Sequence, residues 1–259
     1  MLKNKIESLD DDLAHYLSFT RQPFNFVKVC KFIYDNLYSN VDNYNYERRH
    51  LYARYYGLMK KIDSRTYKPT PVFEHILNLS NNNFENKELY QKVINQQLEK
   101  IYYYSPFGKG KSSFRLYPIF LLYKILLHVG KETGDYKITA KEFKYLVATT
   151  KKFDSWASTL KLIMENRDSN MLDNVNFKVD LRFHHIAKQL STLSLGPRGG
   201  KPDYYKIAES KLDEVKTKVS TFEFVKTIKK GKDGYLPCGI MDEEEYKDFL
   251  QSNTAAVPV

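Results

Sequence analysis

The chain has 259 residues, 42% of them hydrophobic, which is enough for packed cores and excludes a disordered polymer. Its net charge of +10 points to a polyanionic partner, and 21 tyrosines supply surfaces that can bond phosphate or stack on bases. Two distant cysteines, Cys30 and Cys238, exclude a cysteine metal quartet and a disulfide framework. The charged start carries no apolar segment of a signal peptide, and the longest apolar run, Tyr117 to Val129, is interrupted by Lys124 and His128. A cytoplasmic chain is expected.

In chain order, residues 12–17 suggest a short helix. Ser18 to Pro23 then forms a loop from which Arg21 could act as an N-terminal arm. Phe24 to Leu37 is a strong amphipathic helix with Phe26, Val29, Cys30, Ile33 and Leu37 on one face. An Asn- and Asp-rich loop to Asn45 leads into a helix where Tyr46, Arg49, Tyr52 and Tyr56 follow helical spacing, overlapped by Arg48, Tyr52 and Tyr55. Gly57 ends it as a left-handed cap. Leu58 and Met59 return to the core, Lys60, Lys61 and Arg65 make a charged hairpin tip, and Tyr67 to Pro71 runs back. A basic helix followed by a basic hairpin is the physical description of a winged helix. The helix can enter a major groove while the hairpin tracks phosphates. The plain alternative is a solvated basic helix under a loop.

Thr70-Pro71 starts the next helix, through Leu79, and Lys87 to Tyr103 is helical again. Ser105 to Ser113, rich in Gly, Ser and Lys, is the clearest linker. Beyond it come an apolar helix from Leu116 to Val129 and a helix with a Thr139/Glu142 capping box. A helix from Trp156 to Asn166 and one from Val179 to Leu193 follow. A hairpin with a basic, Gly-rich tip spans Leu195 to Ala208, and a closing helix runs from Ser210 to Val225. The second half thus repeats the order of the first. The expected architecture is mainly α (α+β), with tandem winged-helix or helix-turn-helix subdomains and short β-hairpin wings. Residues 1–104 form the first subdomain, 105–113 the linker, 114–225 the second, and 226–259 a tail or a connection to another domain, in which MDEEEYKDFL reads as a short acidic helix.

For chemistry, Pro202-Asp203 followed by Glu214-Val215-Lys216 loosely fits the PD-(D/E)xK nuclease spacing, in which two carboxylates hold Mg²⁺ and a lysine positions water. That geometry needs Glu214 and Lys216 on a strand. Leu212, Val215, Val219 and Phe222 have helical spacing instead, which puts the two residues about 200° apart. Asp203, Glu214 and Lys216 are therefore weak catalytic candidates, and no metal ligands are assigned. Adjacent His184 and His185 diverge on a helix, so they are not a metal pair. The signal for double-stranded DNA is better. Arg48, Arg49, Arg54, Arg182 and Gln189 are placed to read base edges, and Lys60, Lys61, Arg65, Arg198 and Lys201 to hold phosphates. Asn45, Tyr52, His184 and Lys188 join them on the same two helices.

The stretches YLSFTRQPFNFVKVCKFIYDNL, ERRHLYARYYGLMKKIDSRTYKPTPVFEHIL and RFHHIAKQLSTLSL, with the helices between, resemble the specificity regions of type IIS restriction endonucleases of the BpuJI, FokI and AlwI kind. The resemblance covers residues 13–225 and consists of hydrophobic patterns, not invariant signatures. It implies a target-recognition module that binds a short asymmetric site as a monomer. It also implies a separate nuclease domain, needing Mg²⁺, that this chain lacks. A two-winged-helix regulator or replication initiator, and a small complete nuclease, are the competing readings.

Overall fold

The computed structural model describes residues 25–37, 52–62, 66–102, 116–172, 175, 183–197, 202–228, 243–253 and 255. The predicted N-terminal helix, the loop of Arg21, the start of the Arg-rich helix and the linker at 105–113 lie outside them.

Helix α1, Phe26–Leu37, buries Phe26, Val29, Cys30 and Ile33, as its spacing predicts. Its first amides are met by side chains. Asn25 Oδ1 accepts from Val27 N at 2.9 Å, and Gln189 Oε1, from the far half of the chain, accepts from Phe26 N at 2.6 Å. Residues 52–55 are helical and end at Gly57, whose φ of 68° is the expected left-handed cap. A β-carbon there would lie 1.9 Å from Leu250 O, so close approach of the C-terminal helix also requires the glycine. Strands β1 (Met59–Lys61) and β2 (Tyr67–Pro69) pair antiparallel, with Lys60 opposite Lys68 and Lys61 opposite Tyr67. Thr70 joins this hairpin to α2, Pro71–Ser80: its Oγ1 donates to Gly57 O at 2.6 Å and caps Phe73 N. A 3₁₀ turn at Lys87–Tyr90 then leads into α3, Gln91–Glu99.

Helix α4, Pro118–Thr133, is apolar almost all round, as a helix buried on every side must be. It packs against α3, against α6 (Trp156–Ser169) and α8 (Leu212–Ile228), and against two strands of the second sheet. That sheet has the order β3-β5-β4, from Lys137–Thr139, Tyr204–Ile207 and Leu193–Gly196. The predicted hairpin is therefore present and gains a third strand. The Thr139/Glu142 capping box forms with both of its hydrogen bonds and opens α5, Ala140–Glu142, which relaxes into a π-helical turn over Phe143–Val147. Buried Glu142 also takes Arg167 of α6, at 2.7 Å, and Arg167 reaches on to Lys137 O.

Two expectations are corrected. The helix predicted from Val179 to Leu193 is one turn, α7, His184–Ala187, in the described part of that span. Asn95 of α3 holds the following turn through Ser191, its Oδ1 accepting from the backbone amide, and Leu193 is drawn into β4 by pairing with Ile207. The C-terminal tail holds the expected acidic helix as α9, Glu243–Gln251, but this helix packs back onto the first half with Tyr246 and Leu250 buried. Gln97 Nε2 donates to both Tyr56 O and Leu250 O, and Tyr246 OH sits between Lys100 O and Tyr102 N. The buried apolar residues of both halves belong to one cluster. The two predicted blocks of sequence thus meet in one apolar cluster.

Candidate nucleic-acid interface

The β1–β2 hairpin is a two-stranded ribbon with Lys60, Lys61 and Lys68 exposed and Ile62 half-exposed toward its tip. Lys60 and Lys68 face each other directly across the ladder. Like charges in that position repel, so the pairing favours an anion nearby. The second sheet provides a control. There Lys137 faces Lys206, and Asp135 reaches both, at 2.9 and 3.6 Å, while Glu209 reaches Lys206 at 3.2 Å. Those carboxylates raise the pKa of Lys206, and the Lys137 ammonium lowers that of Asp135. Among the described residues the first hairpin is less compensated: Lys60 has Asp248 of α9, at 3.8 Å, and Lys68 has no ion-pair partner. Lys61 instead lies over the Tyr67 ring, 5.9 Å from its centre. Between hairpin and α9 runs a groove of about 340 Å³, into which half-buried Arg54 also projects.

Of the residues predicted to touch DNA, the structure brings Arg54, Lys60 and Lys61 together here. Lys188 is exposed beyond α7, in the other half of the chain. Arg21, Asn45, Arg48, Arg49, Arg65, Arg182, Arg198 and Lys201 lie outside the described residues. Three of the predicted residues are held within the fold. Tyr52 is buried beside Ala53 and Tyr56, because its face of the helix packs on α1, where Tyr56 lies 5.0 Å from the Phe26 ring. His184 is buried at the start of α7, with the His185 ring 4.1 Å away. Gln189 is engaged within the fold, capping α1, donating to His185 O and accepting from Gln91 through its carbonyl. Lys68 was missed. The signal that could have found it is the two-residue period of the return strand, which puts it on the face of Lys60.

The weak nuclease triplet does not assemble. Glu214 and Lys216 stand on α8, as their helical spacing predicts, and face different partners. Glu214 is held by Lys211 and Lys218, both at 2.9 Å. Lys216 pairs with Asp213 on the solvent side. Asp203 is exposed where the loop of the second hairpin enters β5, its backbone bonded to Gly196 and Ala140. Among the described residues no three His, Cys, Asp or Glu side chains cluster as metal ligands, and no helix is long and apolar enough to cross a membrane.

Comparison with known proteins places this geometry in a context. No curated protein matches the chain. The fold is similar to that of the BpuJ1 endonuclease binding domain, solved in a crystal structure with pyrene- and phenanthrene-modified DNA. The TM-score is 0.52 at 11% sequence identity, over 95% of this chain and 92% of that one. At such identity the likeness is one of fold. In sequence, residues 35–186 match the family of the N-terminal domain of the type II restriction endonuclease HgaI. Because that match takes in more than half of the chain, including the hairpin, α4 and α6, the chain belongs to the type II restriction endonuclease HgaI N-terminal domain family.

Proposed function

We propose that this chain is the target-recognition module of a type IIS restriction endonuclease and binds a short asymmetric site in double-stranded DNA. One observation carries the reading furthest. The family match and the fold shared with a DNA-bound endonuclease binding domain coincide with a hairpin whose Lys60 and Lys68 face each other, with Asp248 of α9 the one carboxylate beside them among the described residues. In this reading Lys60, Lys61 and Lys68 hold phosphates, and the two hairpins act as wings beside base-reading helices. Arg48, Arg49 and Arg182 supply bidentate contacts to guanine. The chain binds as a monomer in the cytoplasm. Cleavage, with its Mg²⁺, is assigned to a nuclease domain outside these residues, because Glu214 and Lys216 are bound to other partners on a helix.

Selection from a random duplex library at ~100 mM salt, with footprinting on the winner, tests the reading. A short asymmetric consensus is expected, with a log–log salt slope near −5 for about six phosphate contacts. Arg49→Ala should cost ~1–3 kcal/mol on that site and little on random DNA, whereas Lys68→Ala should weaken both alike. A palindromic consensus would indicate a regulator, and no enrichment would overturn DNA recognition altogether.

A further inference from the structure

The C-terminal helix α9 does more than close the core. It is fixed from below by Tyr246, Leu250, Gln97 and Lys100, so its outer face cannot swing away while the fold persists. That face presents Glu244 and Asp248 to the groove beside the hairpin, opposite Arg54, Lys60 and Lys61. Lys247 bonds Glu244 on the same helix, and Asp248 stands 3.8 Å from Lys60. Both members of the Lys60–Asp248 pair are more than half exposed, so it adds little to folding stability and can be exchanged for another anion. Its effect on an incoming polyanion is different. A phosphate reaching Lys60 must displace a carboxylate that cannot leave the neighbourhood, and it then sits beside Asp248 and the Lys247-paired Glu244.

Resting on the functional reading above, we propose that the acidic face of α9 is a built-in counter-charge that competes with DNA phosphates for the β1–β2 hairpin and holds down sequence-independent binding. The hairpin lysines then close on the backbone only when base contacts made elsewhere bring the duplex into register. The partner at this surface is the phosphodiester backbone, and α9 sets how readily the hairpin takes it. In the second sheet the corresponding lysine pair is neutralised by Asp135, which lies just before β3. The compensation there is local, whereas on the first hairpin it comes from a helix nearly two hundred residues away in sequence.

The test is the full chain carrying Glu244→Gln and Asp248→Asn together. Both positions are exposed and both changes are nearly isosteric, so an unchanged thermal unfolding curve is the control for folding. At ~50 mM salt the affinity for random duplex should rise about threefold to tenfold, with a steeper salt dependence. The affinity for the selected site should rise by the same factor or less. Lys60→Gln with Lys68→Gln should move random-duplex affinity the other way. If wild type binds its selected site and Glu244→Gln/Asp248→Asn leaves random-duplex affinity unchanged or lower, α9 is a structural helix only and the inference is overturned. If wild type binds no duplex at all, the functional reading fails, and this inference with it.

Discussion

Lys100 is fully buried, and its ammonium is met by no carboxylate. It donates to Phe249 O at 3.0 Å and Ser252 O at 2.6 Å, carbonyls at the end of α9, and lies 4.9 Å from the Phe249 ring. This is a cation placed where a helix dipole is negative. Burial still disfavours the charge and pulls its pKa down to about 7. Between there and the ordinary lysine value near ~10.4 the unfolded chain keeps a proton that the folded one sheds. Folding stability should therefore rise with pH across that window, and the burden of burying the charge is fully present below pH 7. The full shift corresponds to roughly 5 kcal/mol, an upper figure because the two carbonyls offset part of the burial. Urea unfolding at several pH values between about 6.5 and 10 should show wild type gaining stability with pH and Lys100→Met staying nearly level. Parallel curves for the two proteins would show that Lys100 is not the titrating group. The same side chain illustrates what sequence reading misses. Lys100 ends an ordinary amphipathic pattern, and nothing local says that its partners lie 149 and 152 residues further on.

At the scale of elements, α3, α4 and α8 are joined by a small polar network inside the apolar cluster. Glu99 accepts from Lys218 at 2.8 Å and from Tyr123 OH at 3.0 Å, and Lys218 also reaches Glu214 at 2.9 Å. Burial raises the pKa of Glu99 against the pull of Lys218. Burial also works against the Lys218 ammonium, but its two carboxylates prevail and raise its pKa. Lys218→Met should destabilise the fold by about 3–5 kcal/mol, because Glu99 is left buried without its cation. Adding Glu99→Gln should recover most of that loss. Denaturant unfolding of the single and double variants measures it, and a single variant as stable as wild type would remove the network from the account. The elements that could be read from sequence are those whose signals are local. These are the apolar stripe of α1, the Thr70-Pro71 start of α2, the Thr139/Glu142 box and the left-handed Gly57. What could not be read depends on pairing at a distance. Strand β3 exists only because Tyr204 to Lys206 lie beside it, and α7 is cut short because Leu193 is claimed by Ile207. The site divides in the same way. Lys60 and Lys61 are legible as a hairpin tip, whereas Tyr52, His184 and Gln189 carry polar groups that look exposed until elements distant in sequence pack on them.

For the whole molecule, the consequence of a single core is that the two blocks of sequence cannot recognise DNA separately. Gln189 of the second block caps α1 of the first, Asn95 of the first holds Ser191 of the second, and Glu99 faces Lys218 across the junction. Cutting between them exposes the apolar face of α4 and leaves Glu99 in one fragment and its cation in the other. Freely jointed subdomains would each retain some affinity and gain avidity from their linker. Blocks sharing a core present the hairpin and the rest of the surface at fixed spacing, so recognition is lost as a unit. Residues 1–104 and 114–225 expressed separately should give no cooperative unfolding transition, and neither should bind the selected duplex. Mixing them should restore binding only if α4 can re-enter its place against α3 and α8. Either fragment folding cooperatively alone, with about half the recognised base pairs still protected in a footprint, would show two autonomous readers and would return the molecule to the tandem arrangement its sequence suggests.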